Sequence, residues 1–454
     1  MINKLVEYLT NKKIIILGFG MEGVSTYKFI RKYLKEQKIY IADKNEAVFD
    51  KNNFVKQDEN VELISGDDYL SNLNNYDIIM KTPGISFATI DVSSFENKIK
   101  SQVELLLEFT KATTVGVTGT KGKSTTSSLI YKIICDQNKP AMLLGNIGIP
   151  VFDFIDEIKD DTILVLELSS HQLEFVKVSP KISILLNIFE EHLDHYKSFQ
   201  GYIDAKLNIF KFQNDGDYFL YNPDNLLLRQ NVQNSKICAK AIEVSYENKV
   251  NNEKTAIIKN GNYIMQNGEK LYDCRNERKL LGNHNLNDAM FAIGVSQILG
   301  LDIKQTVNSI NTFEPLPHRM EFVGKFNNIL YYNDSIATIP QSTINTVLTL
   351  KNVSSLIIGG MDRKIDYTEF IKFLNTSCIK NIICLPTTGH DIATKIDNPA
   401  VNVYKVENMQ EAVEIAKKYT EKNKICLLSP AAASYGFYKN FQERGNEFKK
   451  LVIS

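Results

Sequence analysis

The stretch TVGVTGTKGKSTTSS, residues 114–128, decides how the middle of this chain is interpreted. An apolar run of strand length is followed by a turn that contains Gly119 and Gly122, and then by a longer helical segment. Backbone N–H groups in such a turn can surround an anion, and Lys123 can neutralise phosphate oxygens. The usual phosphate loop has four residues between its glycines, whereas this turn has two. The strand–turn–helix context still favours phosphate binding over a simple turn.

The rest of the chain repeats this alternation of apolar runs and helical stretches in three successive groups. The runs end in Gly, Ser or Asp and precede a helical stretch, which is typical of parallel α/β sheets. A helical stretch near residues 100–112 and the prolines of FEPLPH at 313–318 mark the joins. We therefore predict an α/β protein of three domains, each built on a mostly parallel sheet. The predicted domains comprise residues 1–110, 111–315 and 316–454. Residues 230–280 are predicted to form short strands and hairpins.

Composition and charge exclude several classes of protein. The chain has 454 residues with 53 Lys and Arg against 53 Asp and Glu, so no overall positive field attracts nucleic acid. The six cysteines include no C-x-x-C pair, which indicates a reducing compartment without a disulfide framework or zinc site. The sequence shows no signal-like start, and no apolar stretch reaches 18 residues. These features predict a cytoplasmic protein that binds neither nucleic acid nor membrane.

A second glycine-rich turn, GFGMEG at residues 18–23, follows the first predicted strand. It matches the G-x-G-x-x-G pattern that binds nucleotide phosphates at a helix N-terminus, and Asp43 ends the next strand about 20 residues on. Taken alone, the motif would suggest a dinucleotide dehydrogenase. Glycine turns also serve close packing, so nucleotide binding and a packing turn are equal alternatives for this motif.

Several ionisable side chains lie at the predicted ends of strands, where ligands bind in parallel α/β sheets. Glu167 ends an apolar run that is predicted to be a doubly buried strand, so its carboxylate needs a metal ion or a structural salt bridge. The run NIFEEHLDHY at 187–196 is, on its own, more typical of a solvated loop. Its ionisable residues are Glu190, Glu191, His192, Asp194 and His195. His192 is of interest as a partner to Glu167.

Two further motifs have both a functional and a structural interpretation. In GNHNLNDA, residues 282–289, the polar side chains open a helix and caps would explain them equally well. Arg319 lies at the second domain join, where its guanidinium could grip a phosphate or form an interdomain salt bridge.

These motifs, in this order, resemble those of the Mur ligases, the ATP-dependent enzymes that build the stem peptide of peptidoglycan. The resemblance covers nearly the whole chain and rests on TGTKGKST, GNIG, LELSSHQLE, EEHLDHY, YIDAKLNIF, GNHN, PLPHR, YNDS and SPAAASYGFYKNFQERGNEF. The short loop between the glycines is the usual form in that family. The resemblance implies a Rossmann-like first domain, a P-loop ATPase-like central domain and a Rossmann-like last domain.

The N-terminal glycine turn and the C-terminal motif are similar to those of the branch that joins glutamate to UDP-N-acetylmuramoyl-L-alanine. In the implied reaction, the free carboxylate of that acceptor attacks the γ-phosphorus of ATP. The amine of glutamate then displaces phosphate and forms an amide. The implied cofactors are ATP and two Mg²⁺ ions, the partners are the small-molecule substrates, and the chain is expected to act as a monomer.

The resemblance also assigns roles to matching positions. The ATP site would comprise Gly119, Thr120, Lys121, Gly122, Lys123, Ser124, Thr125, Asn285, Arg319 and Asp334. The catalytic and metal-binding residues would be Lys123, Ser124, Glu167, His192 and Lys206, with Lys206 carried as a carbamate. The pocket for the UDP-sugar acceptor would comprise Gly18, Gly20, Asp43, Lys44, Thr82, Pro83, Gly84 and Asn146. Asp288 stands where family members often have a second adenine-contacting Asn, and it is not included.

The predicted glutamate pocket departs from the family pattern. The family has a lysine in NDSKATN that binds the side-chain carboxylate of the incoming amino acid, whereas this chain has Ile336. Arg363 can still supply a cation and Ser434 a hydroxyl, and Tyr435 and Phe441 border the site. Glutamate remains the predicted substrate, with D-glutamate favoured and L-glutamate as the alternative.

Two other functions are open at the level of sequence. A folate-polyglutamate or cell-wall amidating ligase of the same architecture would fit the altered pocket, although folate ligases lack the N-terminal glycine-turn domain. A non-catalytic nucleotide-sugar or ATP sensor would explain the missing lysine. The retained Lys123, Glu167, His192 and Lys206 argue against a sensor.

Overall fold

Three sheets flanked by helices make up the protein. The computed structural model describes residues 1–146, 150–191, 195–252 and 255–454. The chain divides into two compact units, Met1–Phe313 and Glu314–Ser454, and the first unit contains two of the sheets. The predicted class, α/β with three mostly parallel sheets, is confirmed. In the part of the chain that is described, no helix is both long and apolar enough to cross a membrane.

The first sheet is parallel throughout and has the strand order β3-β2-β1-β4-β5. Its strands are β1 (Ile14–Leu17), β2 (Ile39–Asp43), β3 (Val61–Ser65), β4 (Ile78–Lys81) and β5 (Ile99–Lys100). Its helices are α1 (Ile2–Leu9), α2 (Met21–Tyr33), α3 (Ala47–Lys51) and α4 (Gln102–Phe109). Every residue of β1 is buried because the strand has a neighbour on each side and helices over the sheet.

The second sheet has nine strands in the order β14-β13-β12-β11-β10-β9-β6-β8-β7. Its parallel strands are β6 (Thr113–Thr118), β7 (Ala141–Gly145), β8 (Ile163–Glu167), β9 (Ile182–Leu185), β10 (Tyr218–Tyr221) and β11 (Lys240–Ser245). An extension follows with β12 (Ile257–Asn260), β13 (Tyr263–Gln266) and β14 (Glu269–Asp273). The helices are α5 (Lys123–Asp136), α6 (Ser170–Leu173), α7 (Phe199–Lys211), α8 (Leu226–Gln233), α9 (Asn283–Ile298) and α10 (Ile303–Thr312).

The extension confirms most of the β-rich segment that was predicted at 230–280. Strands β12, β13 and β14 form an antiparallel meander at the edge of the sheet, while β11 pairs in parallel with β10 and β12. The first residues of the predicted segment are different, because α8 continues to Gln233. That helix has an Asn225 side-chain cap and buries Leu228 and Val232, which is the spacing of one helical turn.

The third sheet forms the core of the second unit and has the order β15-β16-β20-β17-β18-β19. Its strands are β15 (Glu321–Phe326), β16 (Ile329–Asn333), β17 (Val353–Gly360), β18 (Asn381–Thr387), β19 (Asn402–Lys405) and β20 (Ile425–Leu428). Only the β15–β16 pair is antiparallel among the described strands of this sheet. The helices are α11 (Pro340–Leu350), α12 (Thr368–Thr376), α13 (Thr388–Ala393), α14 (Met409–Tyr419) and α15 (Phe441–Ile453).

The register of the second sheet brings three strand ends together. Val117 of β6 pairs with Glu167 of β8 on one side and with Ile184 of β9 on the other. Because all three strands are parallel, the turns that follow them emerge at the same edge. This edge is therefore where the sequence motifs after each strand meet.

Candidate active site

The glycine-rich turn after β6 is held in place by the segment that follows β9. The N–H of Thr120 donates to the carbonyl of Asn187 at 3.0 Å. The Asn187 side chain accepts from the N–H of Lys121 at 2.8 Å and donates back to the Lys121 carbonyl at 3.1 Å. Asn187 therefore holds the turn through both its backbone carbonyl and its side chain. The sequence did not predict this role, because asparagine is common in turns of every kind.

Gly122 ends this turn and begins α5. Its φ of 89° lies in the left-handed region, and a Cβ there would come within 2.7 Å of the Oδ1 atom of Asp288. The Nζ atom of Lys123 donates to the carbonyls of Gly119 and Thr120, at 2.9 and 3.1 Å. The ammonium group thus lies over the turn at the N-terminus of a helix, an arrangement that favours a bound phosphate.

Lys206 on α7 contacts the same turn. It is almost fully buried, and its Nζ atom donates to the Gly119 carbonyl at 2.9 Å. Burial, together with the charge of Lys123, lowers the pKa of Lys206 well below its usual value. The ring of Tyr202 lies 4.9 Å from Nζ, and the Tyr202 hydroxyl is 2.8 Å from the Thr120 hydroxyl. A lysine predicted by resemblance alone is therefore an interior residue, not a surface residue of α7.

Glu167 occupies the end of β8 next to the turn. Its side chain is buried, and Oε1 accepts from the Asn146 amide at 2.9 Å. Its Oε2 atom is buried without a hydrogen-bond partner among the described residues. A buried carboxylate oxygen without a partner destabilises the fold unless a ligand completes it.

The residues at this edge fit a divalent cation bound by oxygen ligands. Glu167 presents its unpartnered oxygen, and the hydroxyl of Ser124 lies in the first turn of α5. Mg²⁺ prefers hard oxygen ligands of this kind. Among the described residues, no three or more His, Cys, Asp or Glu side chains form a metal-binding group. The predicted ligand His192 lies outside the described residues.

The acidic run after β9 contributes to two contacts. Glu191 Oε1 lies 2.8 Å from the Nζ atom of Lys121. His195 Nε2 lies 3.2 Å from Oε2 of Glu174, and Glu190 is exposed. Asp194 lies outside the described residues. The run is therefore more than a solvated loop, because two of its side chains contact residues from other elements.

The adenine-contacting residue predicted on α9 lies one helical turn before a residue that faces the glycine-rich turn after β6, residues 119–122, called here the phosphate loop. Helix α9 packs beside α5, and the buried Asn285 side chain donates to the carbonyl of Leu281 at 2.6 Å. Asp288, which follows Asn285 by one helical turn, faces Gly122. The structure thus adds Asp288 to the site. Its spacing from Asn285 was the signal that could have indicated this position.

The residues predicted for the UDP-sugar pocket meet at the carboxyl edge of the first sheet. Gly18 has a φ of 86°, and a Cβ there would lie 2.2 Å from the Thr82 Oγ1 atom, so only glycine allows this approach. The Thr82 hydroxyl donates to the Leu17 carbonyl at 2.8 Å. The carboxylate of Asp43 accepts from the N–H of Phe19 at 2.7 Å. The turn after β1 is therefore fixed by its neighbours on both sides.

Other residues predicted for this pocket border open space. A Cβ at Gly20 or Gly84 would meet nothing within 4 Å. The exposed ammonium of Lys44 lies 3.6 Å from the carboxylate of Asp67. Asn146, predicted for the same ligand, instead lies on the second sheet against Glu167. The predicted acceptor site thus draws residues from both sheets of the first unit.

In the second unit, Asp334 is buried and bonded to three donors. It accepts from the N–H of Met320 at 3.1 Å and from the hydroxyls of Thr346 and Ser429, each at 2.8 Å. Burial raises the pKa of Asp334 to about 6, although these hydrogen bonds act in the opposite direction. Among the described residues, the buried Nε of Arg319 has no hydrogen-bond partner. Arg319 therefore retains a donor for a ligand.

The residues predicted for the glutamate pocket differ in exposure. Ser434 is buried, whereas Tyr435 and Arg363 are exposed. The carbonyl of Phe441 accepts from the hydroxyl of Ser335 at 2.8 Å. This hydrogen bond holds the loop after β16 against the start of α15.

Arg444 was not predicted as a site residue, although its motif was. Its guanidinium is buried and donates to the hydroxyl of Ser335 at 3.0 Å, to the Ser335 carbonyl at 2.8 Å and to the Ala432 carbonyl at 3.1 Å. Burial lowers the pKa of Arg444 to about 10. One side chain thus fixes the two loops that follow β16 and β20.

Three family models match successive parts of the chain. Residues 117–296 match the Mur ligase middle domain, residues 318–432 the Mur ligase glutamate ligase domain, and residues 12–104 the MurD-like N-terminal domain. The chain belongs to the Mur ligase family. The three models coincide with the three sheets of this Mur ligase, and the middle model includes the phosphate loop, Glu167 and Lys206.

Curated relatives match this Mur ligase along its whole length. A Clostridium botulinum (strain 657 / Type Ba4) protein named UDP-N-acetylmuramoylalanine--D-glutamate ligase is 32% identical, over 100% of this chain and 99% of the relative. A protein of the same name from Thermoanaerobacter sp. (strain X514) is 33% identical, over 98% of each chain.

Solved structures of Mur ligases share the fold at low sequence identity. The MurF ligase from Thermotoga maritima in complex with ADP has a TM-score of 0.60 and 15% identity, over 92% of this chain and 96% of that chain. MurF from Acinetobacter baumannii has a TM-score of 0.61 and 12% identity, over 99% of this chain and 98% of that chain. At these identities the likeness concerns the fold alone.

Proposed function

We propose that this Mur ligase uses ATP to add D-glutamate to UDP-N-acetylmuramoyl-L-alanine in peptidoglycan precursor synthesis. The observation that carries the proposal is the arrangement at the edge of the second sheet. There Lys123 and Lys206 both donate to the Gly119 carbonyl, beside a strand that ends in the unpartnered carboxylate of Glu167. The full-length relatives named for D-glutamate ligation support the choice of substrate.

The proposed reaction has two steps. A carboxylate oxygen of the alanyl group bonds to the γ-phosphorus of ATP while the bond to the bridging oxygen breaks, which gives an acyl phosphate and ADP. The amine of D-glutamate then attacks the acyl carbon and loses a proton, and phosphate leaves. The products are an amide, ADP and phosphate.

The phosphate loop is proposed to bind ATP and to reduce the repulsion between the two anionic reactants. The ammonium of Lys123, which donates to carbonyls of its own loop, would turn to the phosphate oxygens when ATP is present. The loop N–H groups and the start of α5 would add further positive potential. Asn285 and Asp288 on α9 would face the nucleotide from the other side of the loop.

Mg²⁺ ions would supply charge neutralisation at the phosphates when bound. We propose that Ser124 and Glu167 hold one ion, and that Glu167, His192 and the carbamate of Lys206 hold the second. Lys206 suits this role because its burial favours the neutral amine, the form that combines with CO₂. The unpartnered oxygen of Glu167 is the structural feature that a cation would complete.

The remaining predicted residues are proposed to bind the other two substrates. The turn at Gly18 and the segment from Thr82 to Gly84 would hold the UDP-sugar. Arg319 and Asp334 would complete the ATP site. Arg363, Ser434, Tyr435 and Phe441 would border the glutamate, with Arg363 as the cation in place of the missing lysine at Ile336. L-glutamate is the alternative substrate, favoured only by Ile336.

We also propose that the enzyme acts as a monomer in the cytoplasm. ATP and UDP-linked sugars are substrates of that compartment. Light scattering of the purified chain checks the monomer, and a stable dimer would contradict it.

The decisive experiment measures phosphate release from ATP with UDP-N-acetylmuramoyl-L-alanine, Mg²⁺ and each glutamate enantiomer. We expect release with D-glutamate and loss of release in Lys123→Ala. Lys132→Ala is the matched control, because Lys132 lies on the same helix and its ammonium pairs with the partly exposed Asp136, one turn further along. Release with L-glutamate alone would support the alternative, and no release with either would overturn the proposal.

A further inference from the structure

A buried ionic cluster joins the first sheet to the second sheet within the first compact unit. The Nζ atom of Lys81, the last residue of β4, lies 3.1 Å from Oε2 of Glu174, which follows α6. The same oxygen lies 3.2 Å from Nε2 of His195. The Lys81 side chain is 4% exposed and that of Glu174 is 15% exposed. Solvent therefore screens this pair weakly. Removing one partner would leave the other as an uncompensated buried charge.

The ammonium of Lys81 is closely surrounded. It lies 5.8 Å from the ring centroid of Phe87 and 5.6 Å from that of Phe175, within the range of cation–π attraction. The adjoining cavity, lined by Pro83 and His171 among others, has a volume of about 10 Å³. This is room for about one water molecule. The packing leaves Lys81 little freedom to take another position.

The segment that follows Lys81, residues 82–86, is anchored at both ends and is called here the UDP-sugar loop. Lys81, the residue immediately before the loop, forms the ion pair with Glu174. At its last residue, the hydroxyl of Ser86 donates to the carbonyl of His195 at 2.6 Å. Both anchoring partners belong to the second sheet's connections, so the position of the loop depends on that sheet.

A short helix connects Glu174 to Glu167. Helix α6 lies between them, and its start is closed by a capping box in which Ser169 and Gln172 bond to each other's backbone N–H groups. A displacement of Glu174 would therefore also shift the short segment that joins it to the end of β8. The Lys81–Glu174 pair thus links the UDP-sugar loop to the strand that carries Glu167.

We propose that Lys81 and Glu174 are positioning residues, whose ion pair sets the UDP-sugar loop relative to Glu167 and the phosphate loop. In that position the acceptor carboxylate reaches the γ-phosphate of ATP. This inference rests on the proposed function and concerns the acceptor, not ATP. Loss of the pair lowers kcat and acceptor affinity while ATP affinity stays the same.

The test compares Lys81→Met, Glu174→Gln and the double variant with the wild type. Steady-state kinetics give kcat and both KM values, and calorimetry gives binding of UDP-N-acetylmuramoyl-L-alanine and of ATP. We expect kcat/KM for the acceptor to fall roughly 10- to 100-fold in each single variant, because small misplacements of reacting groups have effects of that size. The double variant should fall no further than the worse single variant.

The matched control is Lys32→Met. Lys32, in the last turn of α2, also forms an ion pair with a residue that connects strands of the second sheet, Asp156. About half of each of these two side chains is exposed, so solvent screens the pair. We expect wild-type kinetics for this control. Additive losses in the double variant, or equal losses of acceptor and ATP binding, would overturn the positioning role.

The failure of the proposed function is a separate outcome. If the wild type binds the acceptor but releases no phosphate with it, the ligase proposal fails while the calorimetry still tests the loop. Unchanged acceptor binding in both single variants would overturn the inference in that case. Acceptor binding that weakens only when the Lys81–Glu174 pair is lost would support it.

Discussion

Single residues at the candidate site are marked by buried polar groups that lack a full set of partners. Glu167 Oε2 has no hydrogen-bond partner among the described residues. Lys206 is a buried amine whose hydrogen bonds go to the phosphate loop. Such groups reduce stability, and proteins keep them where a ligand completes the bonding.

Lys206→Arg is expected to abolish most of the ligase activity. Arginine can still donate to the Gly119 carbonyl, but it cannot become a carbamate. We expect phosphate release to fall by about 10²-fold or more, the effect typical of a lost electrostatic contributor in an active site. Lys211→Arg on the same helix is the control. Activity close to that of the wild type in Lys206→Arg would exclude the carbamate.

Glu167→Gln is expected to raise stability and lower activity. Glutamine keeps an oxygen that accepts from Asn146, and at the unpartnered Oε2 position it places a neutral amide group, which costs less to bury than a carboxylate. In the absence of metal we expect a gain of about 1 kcal/mol in the free energy of unfolding. Denaturant titration measures the gain, and phosphate release measures the loss of activity. Glu190→Gln, at an exposed position, is the control, and a destabilised Glu167→Gln would contradict this explanation.

At the scale of elements, the active-site edge depends on how one helix begins. Helix α5 has no side-chain cap, and its N-cap is Gly122 in the left-handed region. The first N–H groups of the helix are therefore left for a ligand instead of a capping side chain. The turn obtains its rigidity from Asn187 on the neighbouring connection.

Gly122→Ala is expected to weaken ATP binding and to destabilise the first unit. Alanine in the left-handed region costs about 1–2 kcal/mol, and its Cβ would press on the Asp288 carboxylate. Calorimetry with ATP and thermal unfolding measure the two effects. Gly216→Ala is the control, because a Cβ there meets nothing within 4 Å and the backbone is not left-handed. Unchanged ATP binding in Gly122→Ala would mean that the turn does not hold phosphate.

At the scale of the whole molecule, each compact unit has its own hydrophobic core. One core extends across the first and second sheets and includes Ile14 of β1 and Leu164 of β8. The second unit has cores on both faces of its sheet, around Phe448 on one face and Phe370 on the other. Global unfolding of this chain is therefore expected in more than one transition.

The stability of the second unit is expected to depend on pH through Asp334. Burial raises its pKa to about 6, above its usual 3.8, so the folded state binds a proton that the unfolded state releases between these values. The contribution of Asp334 to the free energy of unfolding should therefore fall as pH rises from about 4 to 6, by about 3 kcal/mol, and should stay constant above that range.

Asp334→Asn tests this dependence. Its amide can still accept from Met320 and can donate to the hydroxyls of Thr346 and Ser429, so the bonding pattern is retained. Thermal unfolding of both proteins between about pH 4 and pH 6 should show a smaller decline in the free energy of unfolding for the variant. Equal slopes in the two proteins would show that Asp334 is not the group responsible.

The parts of the fold that could be predicted were those dictated by local pattern. Buried central strands such as β1, β8 and β20 were recognised because their residues are apolar, apart from Glu167 at the end of β8. Strand β3 was missed because it lies at an edge and has no fully buried residue. Within the site, Lys123 and Glu167 were found from their motifs. Asn187 and the individual role of Arg444 were missed, because each acts through contacts that no local pattern encodes. Asp288 was excluded because it is not the expected asparagine, although its spacing from Asn285 indicated the position.

The sequence by itself determined the alternation of strands and helices along the chain, the glycine turns and the chemistry of the side chains after each strand. These depend on local properties: the conformational freedom of glycine at Gly122 and the apolar runs of buried strands. The tertiary structure alone decided which side chains meet, as with Lys206 and Gly119, 87 residues apart in the chain. The physical reason is that strand order and helix packing bring distant residues together. Burial, which follows from packing, then lowers the pKa of Lys206 and leaves Glu167 in need of a ligand.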